Sequence, residues 1–280
     1  MNRQGTFASV AAIAAAFVAL SPIAAQTTVV ATPTNTQGWT VLSGDVKGGG
    51  SVAITAAHPF DTNGSLQLQM DNTNVGGSGK AAFTDYFKPY GSGYALSTYN
   101  SGSFDWLRSG TSTVQGKYAP TYQLIGKSDQ GFATFVWENV YQNGGTPTAT
   151  TDSWQSVPDM TNQLFWVNLH SAPLSTACGN VNTDGHAQLF LTIAQWSTNN
   201  CLSNVNISAV AVDIGSGWSG TGNGGATFDG AADNVNVGFS GGYDQTTKFE
   251  VTSTPEPSSM ALLGTGLIGL VPMVRRRRKR

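Results

Sequence analysis

Asp61-Thr-Asn-Gly64 followed by Ser65-Leu-Gln-Leu-Gln-Met70 is the stretch whose reading decides the fold. Successive side chains of an extended chain point to opposite faces, so Leu66, Leu68 and Met70 share one side while Gln67 and Gln69 share the other. That is a strand with one face on a core and one in water. The Asn-Gly pair ahead of it supplies residues that tolerate positive φ in a tight reversal, so the strand should pair antiparallel with what precedes it.

The same pattern extends in both directions. Upstream, Trp39 to Leu42 and Ser51 to Thr55 read as short strands separated by Gly44 and the triplet Gly48 to Gly50. Downstream, strands are expected at Lys80 to Lys88, Ser103 to Arg108, Tyr118 to Ile125, Phe132 to Tyr141, Asp152 to Val157 and Gln163 to Leu169. Val205 to Ile214 and Val235 to Phe239 follow, and Lys248 to Thr252 forms a last, weak one. Asn72 to Gly79, Pro89 to Gly102 and Asn143 to Pro147 read as loops. Only Gln188 to Trp196 has helical spacing, with Leu189, Ile193 and Trp196 on one face. About eleven strands with turn signals between them and no fixed repeat predict an all-β fold: a two-sheet antiparallel sandwich of jelly-roll type with one short helix.

Both ends carry targeting chemistry. Arg3, the apolar run Phe7 to Leu20 and the exit Ser21 to Gln26 read as a signal peptide over residues 1–25, with signal peptidase cutting after Ala25. Ile23 is bulkier than the usual residue three places before a cut, so the site could shift by a residue or two. At the other end Ser258 to Val274 is uncharged and long enough for a helix of about 25 Å, against a hydrocarbon core of about 30 Å. Arg275 to Arg280 are all cationic and should stay on the cytoplasmic side, which places the preceding residues outside.

Pro255-Glu-Pro257, the glycine-bearing apolar span with Gly264, Gly266 and Gly269, and the basic end together resemble the PEP-CTERM sorting tag. That tag is found on proteins processed by exosortase in Gram-negative bacteria that make exopolysaccharide. The resemblance implies transient anchoring in the inner membrane through the apolar helix, cleavage near Pro255, Glu256 and Pro257, and release to the cell surface or the matrix. A permanent membrane anchor is the plainer alternative. The expected organisation is therefore a signal peptide at 1–25, an extracellular sandwich at 26–254 and a sorting segment at 255–280.

Without its ends the chain has a different charge. The body at 26–254 carries seven Lys and Arg against fifteen Asp and Glu, a net charge near −8, where the whole chain has −2. An acidic body without a basic patch argues strongly against nucleic acid as a partner. Every Trp and Tyr lies in this body, on a polar, lysine-poor background common among secreted β-proteins that meet glycans, and among some that do not. In an exported chain the two cysteines, Cys178 and Cys201, are expected to form a disulfide, worth roughly 3 kcal/mol in the chain-entropy picture.

Candidate chemistry is sparse. Glycoside hydrolysis needs paired carboxylates, and Glu138 in Phe-Val-Trp-Glu-Asn-Val reads as an outward strand residue rather than a catalytic acid. His58, His170 and His186 read as loop residues, and no Gly-x-Ser-x-Gly turn is present. Gly215-Ser-Gly-Trp-Ser-Gly220 has the letters of a nucleotide loop, but more glycines follow where a helix would have to start. Trp218 in that loop, with Tyr90, Tyr94 and Tyr99, is the candidate platform for stacking on sugar rings. Capping the end of the core is the other reading of Trp218.

The block from Gln188 to Phe239, ending in Asp233-Asn-Val, is similar to the closing part of carbohydrate-binding-module-like jelly rolls. From that resemblance Asp229 and Asp233 are candidate ligands for one structural calcium; no other cofactor is expected. The chain thus reads as a non-catalytic surface or matrix protein associated with exopolysaccharide in biofilm, its partners exosortase, signal peptidase, the membrane and extracellular polysaccharide. A secreted polysaccharide hydrolase and an adhesin without sugar affinity are the alternatives.

Overall fold

A computed structural model describes residues 26–71, 79–89, 92–142, 148–179, 189–215, 218 and 226–252. The signal peptide, Tyr90, His186 and the sorting segment with Pro255, Glu256 and Pro257 lie outside these residues. The first strands are β1 (Thr27–Ala31), β2 (Trp39–Thr40), β3 (Val46–Lys47), β4 (Ser51–Phe60), β5 (Gly64–Asp71), β6 (Lys80–Asp85) and β7 (Tyr94–Ala95). Next come β8 (Tyr99–Arg108), β9 (Thr121–Lys127), β10 (Phe132–Trp137), β11 (Gln155–Val157) and β12 (Trp166–Leu169). The helices α1 (Ala172–Cys178) and α2 (Ile193–Ser197) precede β13 (Asn206–Gly215), β14 (Thr227–Phe239) and β15 (Tyr243–Phe249).

These form two sheets packed face to face, a β-sandwich. The eight-stranded sheet runs β12-β10-β9-β13-β6, with β2 and β3 along the far edge of β6 and β7 beside the start of β13. The seven-stranded sheet is built on β14, whose one edge pairs with β8 and, beyond it, β11. Its other edge is shared: β5 takes Thr227 to Ala232 and β15 takes Val235 to Phe239. Among the described strands all pairings are antiparallel except β1 on β15, and a single parallel bridge joins Arg108 to Thr151.

The fork in β14 has a physical cause. Asn234 adopts φ +48°, and the register against β8 shifts between Asp233 and Asn236, so the strand is bulged where it changes partner. Asp233, 1% exposed, fills the gap: its Oδ1 accepts the N–H groups of Asn234 (2.7 Å) and Phe249 (3.0 Å). The Asp61 turn lies beside the same fork. Glu250 accepts from Thr62 Oγ1 and from Asn63 N–H (3.0 Å), while Asn63 Oδ1 accepts from Val251 N–H (2.9 Å) and Thr252 N–H (3.2 Å).

Between the sheets, the large side chains carry polar tips that find partners across the core. Trp39 Nε1 donates to Thr247 Oγ1 at 3.1 Å, and the Tyr122 hydroxyl donates to the Asn236 carbonyl at 3.0 Å, each linking one sheet to the other. Buried donors of this kind must be satisfied, so they also fix how the sheets sit. Leu66, Leu68 and Met70 are buried, as their alternation requires.

Several expectations are corrected. There are two α-helices among the described residues. Ser171 caps α1 through Leu174 N–H, with Pro173 in its first turn, and α2 begins only at Ile193, where Thr192 and Gln195 form a capping box. Leu189 is 45% exposed and outside α2. Fifteen strands appear among the described residues, rather than about eleven. β14 begins eight residues before Val235 because Gly230, Ala231 and Ala232 pack closely against β8, where the sequence offers no alternation to see. Pro89 to Gly102 contains β7, a 3₁₀ turn and the start of β8. Pro120 holds β9 back to Thr121.

The Cys178–Cys201 disulfide is present and joins the end of α1 to the turn after α2. Reducing it, or replacing both cysteines by Ser, should lower Tm by about 5–10 °C, the equivalent of roughly 3 kcal/mol in a domain of this size; calorimetry with and without reductant measures it. Desolvation pushes the Asp233 carboxyl up to about 8, Asp85 to about 6, Asp213 to about 6 and Glu138 to about 7. A group that holds its proton better when folded contributes stability below its unfolded pKa and loses it as pH rises through the folded value. Tm should therefore fall from pH 5 to pH 8.5. Asp233→Asn keeps both acceptor bonds without ionising, so it should raise Tm at pH 8.5 by several degrees and change it little at pH 5. A wild-type Tm that climbs across this range would contradict the assignment.

Candidate functional site

The outward face of the eight-stranded sheet is a groove of about 660 Å³. Period-two alternation builds it, because every strand that sends Phe83, Tyr122, Phe135, Val167 or Val212 inward presents its intervening residues outward. Register aligns those residues in rows. Thr84, Ala211, Gln123, Val136 and Trp166 are neighbours across five strands, a span of about 19 Å at the usual strand spacing. Ala82, Asp213 and Thr121 form the next row, and Glu138, one residue beyond the Trp137–Tyr122 pair, extends it. Ala82 and Ala211 keep the centre of the floor low, while Tyr86, Phe132 and Trp166 are bulky neighbours around it.

A loop closes one end. Arg108, 3% exposed, donates to the carbonyls of Tyr118 (2.8 Å) and Val114 (2.9 Å), which fixes the segment after β8. Tyr118 then stacks on Trp218 with ring centroids 4.9 Å apart, and both line the groove.

The floor is charged, and most of its charges are committed to one another. Lys80 Nζ lies 3.2 Å from Asp45 Oδ1 and 3.6 Å from Asp213 Oδ2. Burial alone would lower the Lys80 ammonium, but Asp213 and Asp45 outweigh it and hold the group above its ordinary value. Asp213, 8% exposed, is raised by burial and partly restored by Lys80 and by Gln123 Nε2, which donates to its Oδ2 at 2.9 Å. Its other oxygen, Oδ1, is buried without a hydrogen-bond partner among the described residues.

Glu138 is half-buried. Burial raises it, and hydrogen bonds from Trp166 Nε1 (3.1 Å) and Trp218 partly offset that. It therefore carries a proton for much of the time near neutral pH. His170 Nε2 lies 3.1 Å from Thr134 Oγ1, its ring packs on Phe132, and burial together with Lys80 lowers its pKa, so it is neutral there.

The residues singled out from the sequence are placed differently. Trp218 is 4% exposed, with Tyr118 stacked on it and Phe228 meeting it edge-on; it is a wall of the groove and a cap on the core, not an exposed platform. Tyr94 and Tyr99 pack with Phe239 in an aromatic cluster that also holds Phe87 and Tyr243, away from the groove lining. Asp229 and Asp233 do not converge. They stand four residues apart on β14, about 13 Å along the strand. Asp229 is taken by His58 Nε2 (2.9 Å), Gln67 Nε2 (2.9 Å) and Gln69 Nε2 (3.1 Å), and Asp233 by the backbone. Among the described residues no group of three His, Cys, Asp or Glu is placed to hold a metal ion.

Lys80, Asp213, Gln123 and Trp166 were not marked from the sequence. Their signal is the polar or aromatic residue between two core residues of one strand, and it means nothing until strand order brings four such strands together. Glu138 does face outward, as its strand position suggested.

No curated protein sequence matches the chain. Among solved structures, the endo-β-1,4-glucuronan lyase of the fungus Trichoderma reesei is 12% identical, with TM-score 0.39 over 73% of this chain and 92% of that one. A structure described as showing the promiscuous specificity of carbohydrate-binding modules of the β-sandwich superfamily is 10% identical, TM-score 0.32, covering 68% of this chain and 57% of that one. CBM27-1 of Caldicellulosiruptor saccharolyticus in complex with mannohexaose is 10% identical, TM-score 0.32, covering 70% and 90%. Residues 253–279 match the PEP-CTERM protein-sorting motif, which implies export, transient membrane anchoring and processing by exosortase.

Proposed function

We propose that the protein is a non-catalytic component of the cell surface or extracellular matrix that holds exopolysaccharide in the groove of its eight-stranded sheet. The observation that carries this reading is the buried, unpartnered Asp213 Oδ1 on a groove floor flanked by Trp166, Tyr118 and Tyr86. A desolvated acceptor without a donor costs free energy that a ligand hydroxyl can recover. Sugars offer such hydroxyls beside apolar C–H faces that pack on aromatic rings. The sorting motif supports the location, since it delivers the body to the side of the membrane where such polymers lie.

A hydrolytic reading has one observation in its favour: Glu138, held up to about 7, shares a row with Asp213. Their backbones are two strand spacings apart, about 10 Å, with Thr121 between them. Binding and hydrolysis separate cleanly. Affinity electrophoresis of the secreted protein in gels containing the producing strain's exopolysaccharide should show retardation, reduced at least tenfold in affinity by Trp166→Ala. Trp154→Ala, outside the groove, should leave it unchanged. No reducing ends should appear on prolonged incubation; release that Glu138→Gln abolishes would replace this proposal by the hydrolytic one.

A further inference from the structure

The Asn63-Gly64 pair in the first hairpin carries a chemical liability. Gly64 has no side chain to shield its backbone nitrogen, so that nitrogen attacks the Asn63 side-chain amide more readily than when a larger residue follows. The N–Cγ bond forms, the Cγ–Nδ2 bond breaks, and ammonia leaves with the proton of the Gly64 nitrogen. Water then opens the cyclic imide at either carbonyl and leaves aspartate or isoaspartate at position 63. The fold nonetheless uses both residues. A Cβ at Gly64 would lie 2.6 Å from Val251 N and 2.9 Å from Glu250 Cα, so the close backbone approach calls for glycine. The Asn63 amide both accepts and donates: Oδ1 takes Val251 N–H (2.9 Å) and Thr252 N–H (3.2 Å), and Nδ2 gives to the Thr252 carbonyl (3.2 Å) and Oγ1 (3.3 Å). Ring closure has to break these four bonds, because the side chain must swing round onto the Gly64 nitrogen. Asn63 is half-buried and Thr252 exposed, so water reaches the site and protection falls to the bonds.

We propose that Asn63 is a latent deamidation site, held closed by Val251 and Thr252, whose modification releases the end of the folded body from the Asp61 turn. The product cannot remake the latch. Aspartate keeps an acceptor for the two N–H groups but has no donor for the Thr252 carbonyl, and its charge adds to that of Glu250, which already accepts the Asn63 N–H at 3.0 Å. Isoaspartate also lengthens the main chain beside a turn in which Asp61 already stands at φ +54°. The change is one-way: opening permits the chemistry, and the chemistry prevents closing. Asn63 lies outside the groove lining, so the site is independent of what the groove holds.

Peptide mapping by mass spectrometry, on the secreted protein incubated at mildly alkaline pH both folded and in urea, tests this. In urea Asn63 should convert at a rate similar to those of the Asn143-Gly144 and Asn223-Gly224 pairs in the same sample. In the folded protein it should convert more slowly by about tenfold or more, since only the opened population reacts. Thr252→Pro removes one N–H donor and the hydroxyl from the latch and should recover most of that difference. Thr252→Val removes the hydroxyl alone and should recover a smaller part; it serves where circular dichroism shows the proline variant unfolded. In Asn63→Asp, amide hydrogen exchange at Val251 and Thr252 should speed up by about tenfold. Asn63 converting as fast folded as in urea, or folded Thr252 variants no faster than wild type, would overturn the latch as the guard. Unchanged exchange at Val251 and Thr252 in Asn63→Asp would overturn the release.

Discussion

A carboxylate removed from water has to be repaid with donors, and this constraint shapes the sandwich at both of its critical places. At the fork of β14 the donors come from the backbone: Asp233 Oδ1 takes two N–H groups and in doing so bridges the point where β5 ends and β15 begins, while desolvation still outweighs them and holds the carboxyl up to about 8. At the groove the donors are side chains. Asp213 has Gln123 and Lys80 on one oxygen and nothing on the other. The same residue type, desolvated in both places, therefore fastens two strands in one sheet and leaves one oxygen without a hydrogen-bond partner among the described residues in the other.

The difference follows from which face each residue occupies. Asp233 sits at a bulge, where a strand that changes partner frees backbone donors nearby. Asp213 lies mid-strand on β13, where both edges are paired to β6 and β9 and every backbone donor belongs to the ladder. Only side chains can reach it, and two of its flanking positions, Ala82 and Thr121, are too short or turned elsewhere. The vacancy in the hydrogen bonding is thus a consequence of small residues at the centre of a fully paired sheet.

Much of the fold was legible in the sequence because alternation is a local signal. Ser65 to Met70 and its Asp61 turn specify a hairpin without reference to the rest of the chain, and the cysteine pair needed only the inference of export. The site was less legible. Trp218 stands out in a glycine-rich loop, yet a large ring next to the core is more favourably buried than displayed, and Tyr118 and Phe228 bury it. Asp213 and Lys80 are unremarkable in their own segments. They become a site only through the order β10-β9-β13-β6, in which sequence neighbours are not sheet neighbours.

The position of the last body contacts links the sandwich to its delivery. Asn63 and Glu250 bind the chain reciprocally up to Thr252, and the sorting motif is matched from residue 253. The turn that made the first hairpin readable is the one that fastens the end of the folded body. β15, immediately upstream, supplies the Phe249 N–H to Asp233 and the Thr247 hydroxyl to Trp39, so strain transmitted into it would reach the fork and the core together. The hydrogen bonds of Val251 and Thr252 to Asn63 lie between that strand and the motif. The described strands all end before the matched segment, and the groove is built wholly from residues upstream of Thr252.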